Sequence, residues 1–385
     1  MKIPMSSPDL TDADRQAVME VLATPHLSLG PKLPAFEQAV CQYTGAKHAI
    51  AVNSGTAGLH LCVRAAGIGA GDLVITSPFS FVASTNALLF ENAIPVFVDI
   101  DPKTGNIDVE QVKDALLHIS KYLPRQSAGV KPKALKAILP IDVFGQPAAM
   151  DKIMTLAQEH GLKVIEDSCE ALGATYKGKQ AGTFGDYGVF AFYPNKQMTT
   201  GEGGIVITND EQAAAFMRAL RNQGRAPGDT WLSHTYLGYN YRLDELSCAL
   251  GISQLKRLDE MLAKREQVAA WYSERLSELP EIEPPFIAPE TTRMSWFVYV
   301  IRLDSKIDRA EFARRLEERG VPVRPYFLPI HLQPYMVERF GWKEGDFPVT
   351  EDLGRRGLAV PFSGVMTEEQ VEYVCQAIRT ALHTA

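Results

Sequence analysis

The chain has 385 residues, 46% hydrophobic and 22% charged, an ordinary globular balance that excludes disordered and fibrous classes. The 39 basic and 46 acidic residues leave a net charge of −7 with no long run of either sign, and Lys131, Lys133 and Lys136 are too thin a cluster for a nucleic-acid stripe. No apolar stretch approaches ~18 residues, Pro4, Pro8 and Asp9 stand where a signal peptide needs an apolar core, and five scattered cysteines never form C-x-x-C, so a reduced, cytoplasmic protein with no structural metal and no membrane or nucleic-acid partner is expected.

In chain order, the first two-thirds alternates strands with helices. Residues 47–52 read as a strand and 56–66 as a helix opened by Ser54-Gly55-Thr56. Short apolar strands are expected at 73–76 and 95–98, around a helix near 83–91, and a helical pattern runs from 109 to about 120. The runs 137–141 and 163–165 flank a helix at 149–160. Such short, continuously apolar runs rich in Val and Ile are strands buried on both faces. Their strict alternation with helices predicts right-handed crossovers and an α/β fold with a mostly parallel sheet flanked by helices. Two more strands, 189–192 and 204–208, enclose a segment rich in Gly and Thr. One long helix is predicted from Leu243 towards Leu279, with Gly251 its weak point, before a linker marked by Pro280, Pro284, Pro285 and Pro289. A strand at 296–303 and helices at 309–319 and 368–382 predict a smaller α+β unit. The expected division is a large α/β domain over 12–245, then a connecting helix and small C-terminal domain over 246–385, with residues 1–11 packing on the small domain.

Four elements carry chemistry. Ser54-Gly55-Thr56 follows a strand and opens a helix, where free N–H groups, hydroxyls and a glycine that permits close approach make a phosphate cradle. Ser and Thr there are also ordinary helix caps. Glu166-Asp167-Ser168 ends the 163–165 strand, and ligands of open α/β sheets sit at the carboxyl ends of strands. Asp167 can salt-bridge a protonated heterocyclic nitrogen; its competing reading is a helix N-cap carboxylate. Lys196 lies in Phe190-Ala191-Phe192-Tyr193-Pro194-Asn195-Lys196, ahead of Gly201-Glu202-Gly203-Gly204. A lone lysine is ordinarily a solvated surface residue. This one sits in a turn that is aromatic on one side and glycine-rich on the other, a setting that desolvates an amine and makes it a Schiff-base nucleophile. Phe81, after the 73–76 strand, reads as a core residue or as a ring that stacks on a planar cofactor. Phosphate cradle, stacking ring, carboxylate and amine together are what pyridoxal 5'-phosphate requires. No G-x-G-x-x-G follows the first strand, which argues against a nicotinamide dinucleotide site.

Asn53-Ser54-Gly55-Thr56-Ala57, Glu166-Asp167, the Phe192–Lys196 block with its glycines, and Gly238-Tyr239-Asn240-Tyr241-Arg242 resemble the sugar-nucleotide aminotransferases of the DegT/DnrJ type, which have the fold-type I architecture. The resemblance runs from Leu29-Gly30-Pro31 to Pro329-Ile330-His331. It implies transamination of a nucleotide-linked keto-sugar by an amino-acid donor, L-glutamate in the family, in a homodimer with shared active sites. By the same resemblance Lys196 bonds the cofactor and then shuttles the proton, and Asp167 pairs with the pyridine nitrogen. Phe81 stacks on the ring, while Ser54, Gly55 and Thr56 hold the phosphate. Asn240 or Arg242 is implied to reach the phosphate or substrate of the neighbouring subunit. Tyr326 and His331 match a block expected near the sugar. Glu170 stands near the cofactor hydroxyl, where many members carry Gln. Glu resembles the 4-amino-sugar synthases, which points to a 4-keto-6-deoxy hexose, with a 3-keto sugar or a cyclitol ketone as the alternative. Ala191 replaces the usual Ser five residues before the lysine and removes one expected phosphate hydroxyl. A branch with His in place of the lysine performs dehydration, and Lys196 argues against it. A cofactor-binding sensor without turnover is the reading from another class; the presence of both Lys196 and Asp167 argues against that.

Overall fold

The structure is a computed structural model and describes residues 3–127 and 129–383. The short apolar runs form β1 (His48–Val52), β2 (Leu73–Thr76), β3 (Ile94–Phe97), β4 (Leu135–Ile138) and β5 (Lys163–Asp167). A small hairpin, β6 (Thr175–Tyr176) and β7 (Lys179–Gln180), precedes β8 (Tyr187–Ala191) and β9 (Gly204–Thr208). Further on come β10 (Ile282–Glu283), β11 (Thr291–Arg293), β12 (Tyr299–Leu303) and β13 (Gly357–Val360).

Seven of these make the central sheet, in the order β1-β9-β8-β5-β4-β2-β3. It is parallel except for β9, which runs antiparallel to both β1 and β8. The reversal follows from the connection: between β8 and β9 the chain turns back through the Lys196 segment without a crossover helix. Helices cover both faces, so every residue of β2, β3 and β9 is buried. The two faces alternate along β1. Ile50 and Val52 pack with Leu59 and Val63 of the helix Gly55–Ala65 and with Met217 and Leu220 of the helix Glu211–Arg221. Ala49 and Ala51 pack the other way, with Phe36 and Val40 of Lys32–Thr44 and Cys248 of Glu245–Leu255. Glu245 also tethers the helix Lys32–Thr44: its carboxylate accepts from the N–H groups of Lys32 (2.6 Å) and Leu33 (3.0 Å), at the end where a negative charge is favoured.

A second, antiparallel sheet, β10-β12-β13, packs with the helices Leu258–Leu276, Arg309–Glu318 and Glu368–His383 around Tyr272, Tyr299, Phe312 and Ile378. Ile3 is buried in that same core. Among the described residues no helix is long and apolar enough to cross a membrane.

Two expectations change. The long helix is two helices, broken at Lys256-Arg257 and not at Gly251. Gly251 lies inside the first and marks a close approach: a Cβ there would lie 2.7 Å from the Phe36 ring. The strand expected from Trp296 begins only at Tyr299, because Trp296 adopts a left-handed backbone (φ 52) that interrupts the extended run.

Phe36 is fully buried and meets Phe192 edge-on at 5.6 Å, so its ring has no room to retreat. Gly251→Val is therefore expected to destabilise the protein by about 1–3 kcal/mol through overpacking, read as a lower midpoint in urea unfolding. An unchanged midpoint would show that the Phe36 ring can move aside.

Candidate active site

The site forms where β2, β5 and β8 end at their carboxyl edge, beside the start of the helix Gly55–Ala65. Ser54 caps that helix: its hydroxyl accepts from the Ala57 N–H at 3.1 Å. The Thr56 hydroxyl has no partner in the chain among the described residues. Gly55 is buried, and a Cβ on it would meet Ala191 Cβ at 2.8 Å and Cys169 Sγ at 2.9 Å. A Cβ on Gly204 would lie 2.7 Å from the Gly55 nitrogen. Glycines at both positions press the helix start against the end of β8 and the residues after Asp167. The cradle and the segment that follows Asp167 thus lie side by side.

Asp167 is the last residue of β5, and it is buried. No helix follows it, which removes the N-cap reading. Its Oδ1 accepts from the Cys169 N–H at 3.2 Å. Burial pushes this carboxyl above its ordinary range; the Cys169 hydrogen bonds and the Lys196 charge oppose the shift without cancelling it. A cation placed beside it would hold it as the carboxylate.

Lys196 follows the Tyr193 turn, its N–H donating to the Tyr193 carbonyl at 2.9 Å. Its side chain is only 13% exposed. Nζ stands 3.7 Å from Glu170 Oε1 and 3.7 Å from the centroid of the Phe297 ring. The other Glu170 oxygen accepts from the Phe144 N–H at 2.9 Å. Burial raises the Glu170 carboxyl, and the Lys196 charge works against the rise. Tyr326 stacks on Phe144 (6.2 Å, 16°) and on Phe297 (6.4 Å, 11°). Its phenol is pushed up by burial and by the charge of Glu170, which places Tyr326 on the same wall.

Phe81 is 63% exposed, a large apolar ring left open after β2, as a stacking role requires. Asn240 and Arg242 alternate with Tyr239 and Tyr241. The two tyrosine rings stack at 4.8 Å and turn inward to a buried His60–Glu91 pair, with Tyr241 OH 3.0 Å from His60 Nδ1 and His60 Nε2 2.8 Å from Glu91. Asn240 is left facing outward, tied by its carbonyl to Asn53 Nδ2 at 3.3 Å, while Arg242 donates to Asn222 Oδ1 at 3.2 Å. The structure does not bring His331 to the cleft surface. It is 0% exposed, its Nε2 meets Glu351 at 3.0 Å, and Phe347 covers its ring at 4.7 Å.

Sequence reasoning missed Phe144, Phe297 and Arg265. Arg265, fully buried, donates to the carbonyls of Lys196 (2.6 Å), Asn195 (3.3 Å), Trp296 (3.1 Å) and Phe297 (3.3 Å). Burial pulls its pKa down to about 10, which leaves it charged at neutral pH. No motif announces these residues: Phe144 lies in the turn after β4, Phe297 just before β12, and Arg265 inside a long helix.

The residues present fit pyridoxal phosphate. Asp167 lacks the cation that a protonated pyridine would supply, Phe81 offers an open face, the helix start offers N–H groups, and Lys196 is a desolvated amine.

Comparison with known proteins agrees. The model of the DegT/DnrJ/EryC1/StrS aminotransferase family matches residues 8–379. GDP-perosamine synthase of Caulobacter vibrioides is 37% identical, the match covering 99% of this chain and 98% of that protein. The spore coat polysaccharide biosynthesis protein SpsC of Bacillus subtilis is 37% identical over 98% of this chain and 96% of its own. Among solved structures, Helicobacter pylori PseC, an aminotransferase involved in the biosynthesis of pseudoaminic acid, superposes with a TM-score of 0.88 at 29% identity, covering 99% of both chains.

Ala191 faces Gly55, so a hydroxyl at this position would stand beside the start of the helix Gly55–Ala65, the candidate phosphate cradle. Ala191→Ser is expected to tighten pyridoxal phosphate binding to the apoprotein by roughly 10-fold, the worth of one charge-assisted hydrogen bond. Fluorescence titration measures it, and an unchanged Kd would show that residue 191 does not address the phosphate.

Proposed function

We propose a donor and an acceptor for this chain, which belongs to the DegT/DnrJ/EryC1/StrS aminotransferase family and is an aminotransferase dependent on pyridoxal 5'-phosphate. The donor is L-glutamate. The acceptor is a nucleotide-linked 4-keto-6-deoxy hexose, which leaves as the amino-sugar nucleotide. The observation that carries this reading is the Glu170 carboxylate beside Lys196, where a 4-amino-sugar synthase is expected to hold Glu in place of Gln. The likeness to GDP-perosamine synthase along the whole chain supports it.

Bound pyridoxal phosphate supplies an electron sink for the charge that develops on the reacting carbon. Asp167 holds the proton on the pyridine nitrogen. The first-turn N–H groups of the helix Gly55–Ala65 bind the phosphate at the positive end of the helix dipole. Lys196 Nζ, as the free amine, takes the proton from the donor carbon that bears nitrogen. In the second half-reaction it delivers a proton to the sugar carbon that receives the nitrogen. Phe144, Phe297 and Tyr326 wall off this amine from water. Two half-reactions through one site give ping-pong kinetics.

The working unit we propose is a homodimer with shared sites. Asn240 faces outward, and the loop before it exposes Trp231 (72%), Leu232 (84%) and Leu237 (80%), an apolar surface suited to a second copy of the chain.

Glutamate is expected to discharge the yellow colour of the purified enzyme. A panel of keto-sugar nucleotides, followed by product mass, should then show amination of 4-keto-6-deoxy hexoses. Colour that survives every amino acid would favour a binding protein without turnover, and amination of 3-keto sugars alone would move the substrate. The shared site is tested by mixing subunits. Asn240→Asp sets a carboxylate against a phosphate, and Lys196→Ala removes the amine, so each homodimer should be inactive. Random exchange should restore about a quarter of wild-type activity, because each mixed dimer holds one intact site. No recovery despite proven exchange would confine the site to one subunit.

A further inference from the structure

Phe297 and Lys196 lie far apart in the chain, yet the ring centroid stands 3.7 Å from Nζ. An ammonium over an aromatic face at this range is held by the ring quadrupole, more strongly where water is excluded. Glu170 Oε1 approaches the same nitrogen, also at 3.7 Å.

The surroundings hold this geometry from several sides. Phe297 is buried, and its ring is stacked on Tyr326. Its N–H donates to the Phe144 carbonyl at 3.2 Å, and its own carbonyl accepts from Arg265. Arg265 binds the Lys196 carbonyl as well, so one guanidinium sets the backbone of both partners. The Phe144 N–H occupies one oxygen of Glu170 and leaves the other for the amine. Phe144 (φ 58) and Trp296 (φ 52) both adopt the left-handed backbone, which non-glycine residues keep only where the neighbouring structure compels it. Gly145 lies between these segments; a Cβ on it would stand 2.8 Å from the Trp296 nitrogen.

We propose that Phe297 and Glu170 form a seat for the Lys196 ammonium in the apoprotein and in the protein loaded with pyridoxamine phosphate. The seat rests on the reading of Lys196 as the cofactor-bonding lysine. The amine condenses with the aldehyde of pyridoxal phosphate and expels water, which takes Nζ out of the seat. Pyridoxamine phosphate carries an amino group on that carbon and cannot condense, so Lys196 stays free to occupy the seat. The seat therefore favours the pyridoxamine-loaded protein over the pyridoxal-loaded one. Phe297 is a positioning residue that biases the resting place of the proton carrier between half-reactions.

The test titrates apoprotein with each cofactor form and takes the ratio of the pyridoxamine phosphate Kd to the pyridoxal phosphate Kd. Phe297→Leu keeps the apolar bulk and loses the ring face, and it should raise the ratio roughly 2- to 30-fold. Phe297→Tyr should leave the ratio within about 2-fold of wild type. Glu170→Gln should raise it in the same direction, and it carries the test if the Leu variant does not fold. A ratio unmoved by Phe297→Leu, or both forms weakened equally, overturns the seat and reduces Phe297 to packing. Borohydride trapping on the pyridoxal-loaded wild type separates the two failures. A label on the Lys196 peptide with an unmoved ratio condemns the seat alone, and a label on another lysine condemns the reading of Lys196 and the seat with it.

Discussion

Arg265 is a cation taken out of water with no ion pair among the described residues, and its acceptors are four backbone carbonyls. Burying a charge is costly unless hydrogen bonds replace its hydration, so these carbonyls must converge wherever the guanidinium sits. Two belong to the Lys196 turn and two to the segment that leads into β12. The helix Leu258–Leu276, which carries Arg265, packs on the central sheet at Met261 and Leu262 and in the second core at Val268 and Tyr272. One side chain thus fixes the Lys196 turn relative to the second sheet. The aromatic wall over that amine inherits its position from the same constraint.

Charge balance is the second theme. Asp142, Glu166, Asp167 and Glu170 are all buried around the end of β5, and burial raises all four carboxyls. Two of them accept two hydrogen bonds each from the surrounding chain. Asp142 accepts from Ser168 Oγ (2.6 Å) and the Ala148 N–H (2.9 Å), and Glu166 accepts from the N–H groups of Gly182 (2.8 Å) and Gly185. Asp167 and Glu170 face the pocket, where Lys196 is the cation at hand. One lysine cannot serve two carboxylates and also leave to bond a cofactor. In the proposed reading a protonated pyridine would resolve the deficit at Asp167, and Glu170 would face the lysine whenever the lysine is free.

Much of the site is legible in the chain because its chemistry is local. Ser54-Gly55 announces a helix start after an apolar strand, Asp167 follows a run of Val and Ile, and Lys196 stands between two strands that need no partner to be recognised. Each inference needs only neighbours a few residues away. His331 shows the opposite case. It lies in a block expected near the sugar, yet Glu351 and Phe347, brought in from a later helix and its approach, enclose it completely. Gly251 is similar: read locally it weakens a helix, and in the fold it is the gap that admits the Phe36 ring. The direction of β9 escaped for the same reason, since a strand's apolar pattern is unchanged by reversing it.

The sequence by itself determined the α/β class and marked the candidate cradle, carboxylate and amine, since apolar periodicity, capping and turn chemistry act over a few residues. Only the tertiary structure decided that Phe297, Phe144 and Arg265 surround Lys196, that Glu170 divides its oxygens between a backbone N–H and the amine, and that Asn240 faces away from its own core. Those arrangements depend on contacts between separate segments of the chain, 26 residues apart for Glu170 and Phe144 and 69 for Arg265 and Lys196. Such contacts are selected by packing and by the cost of burying unpaired charge, and neither leaves a periodic trace along the chain.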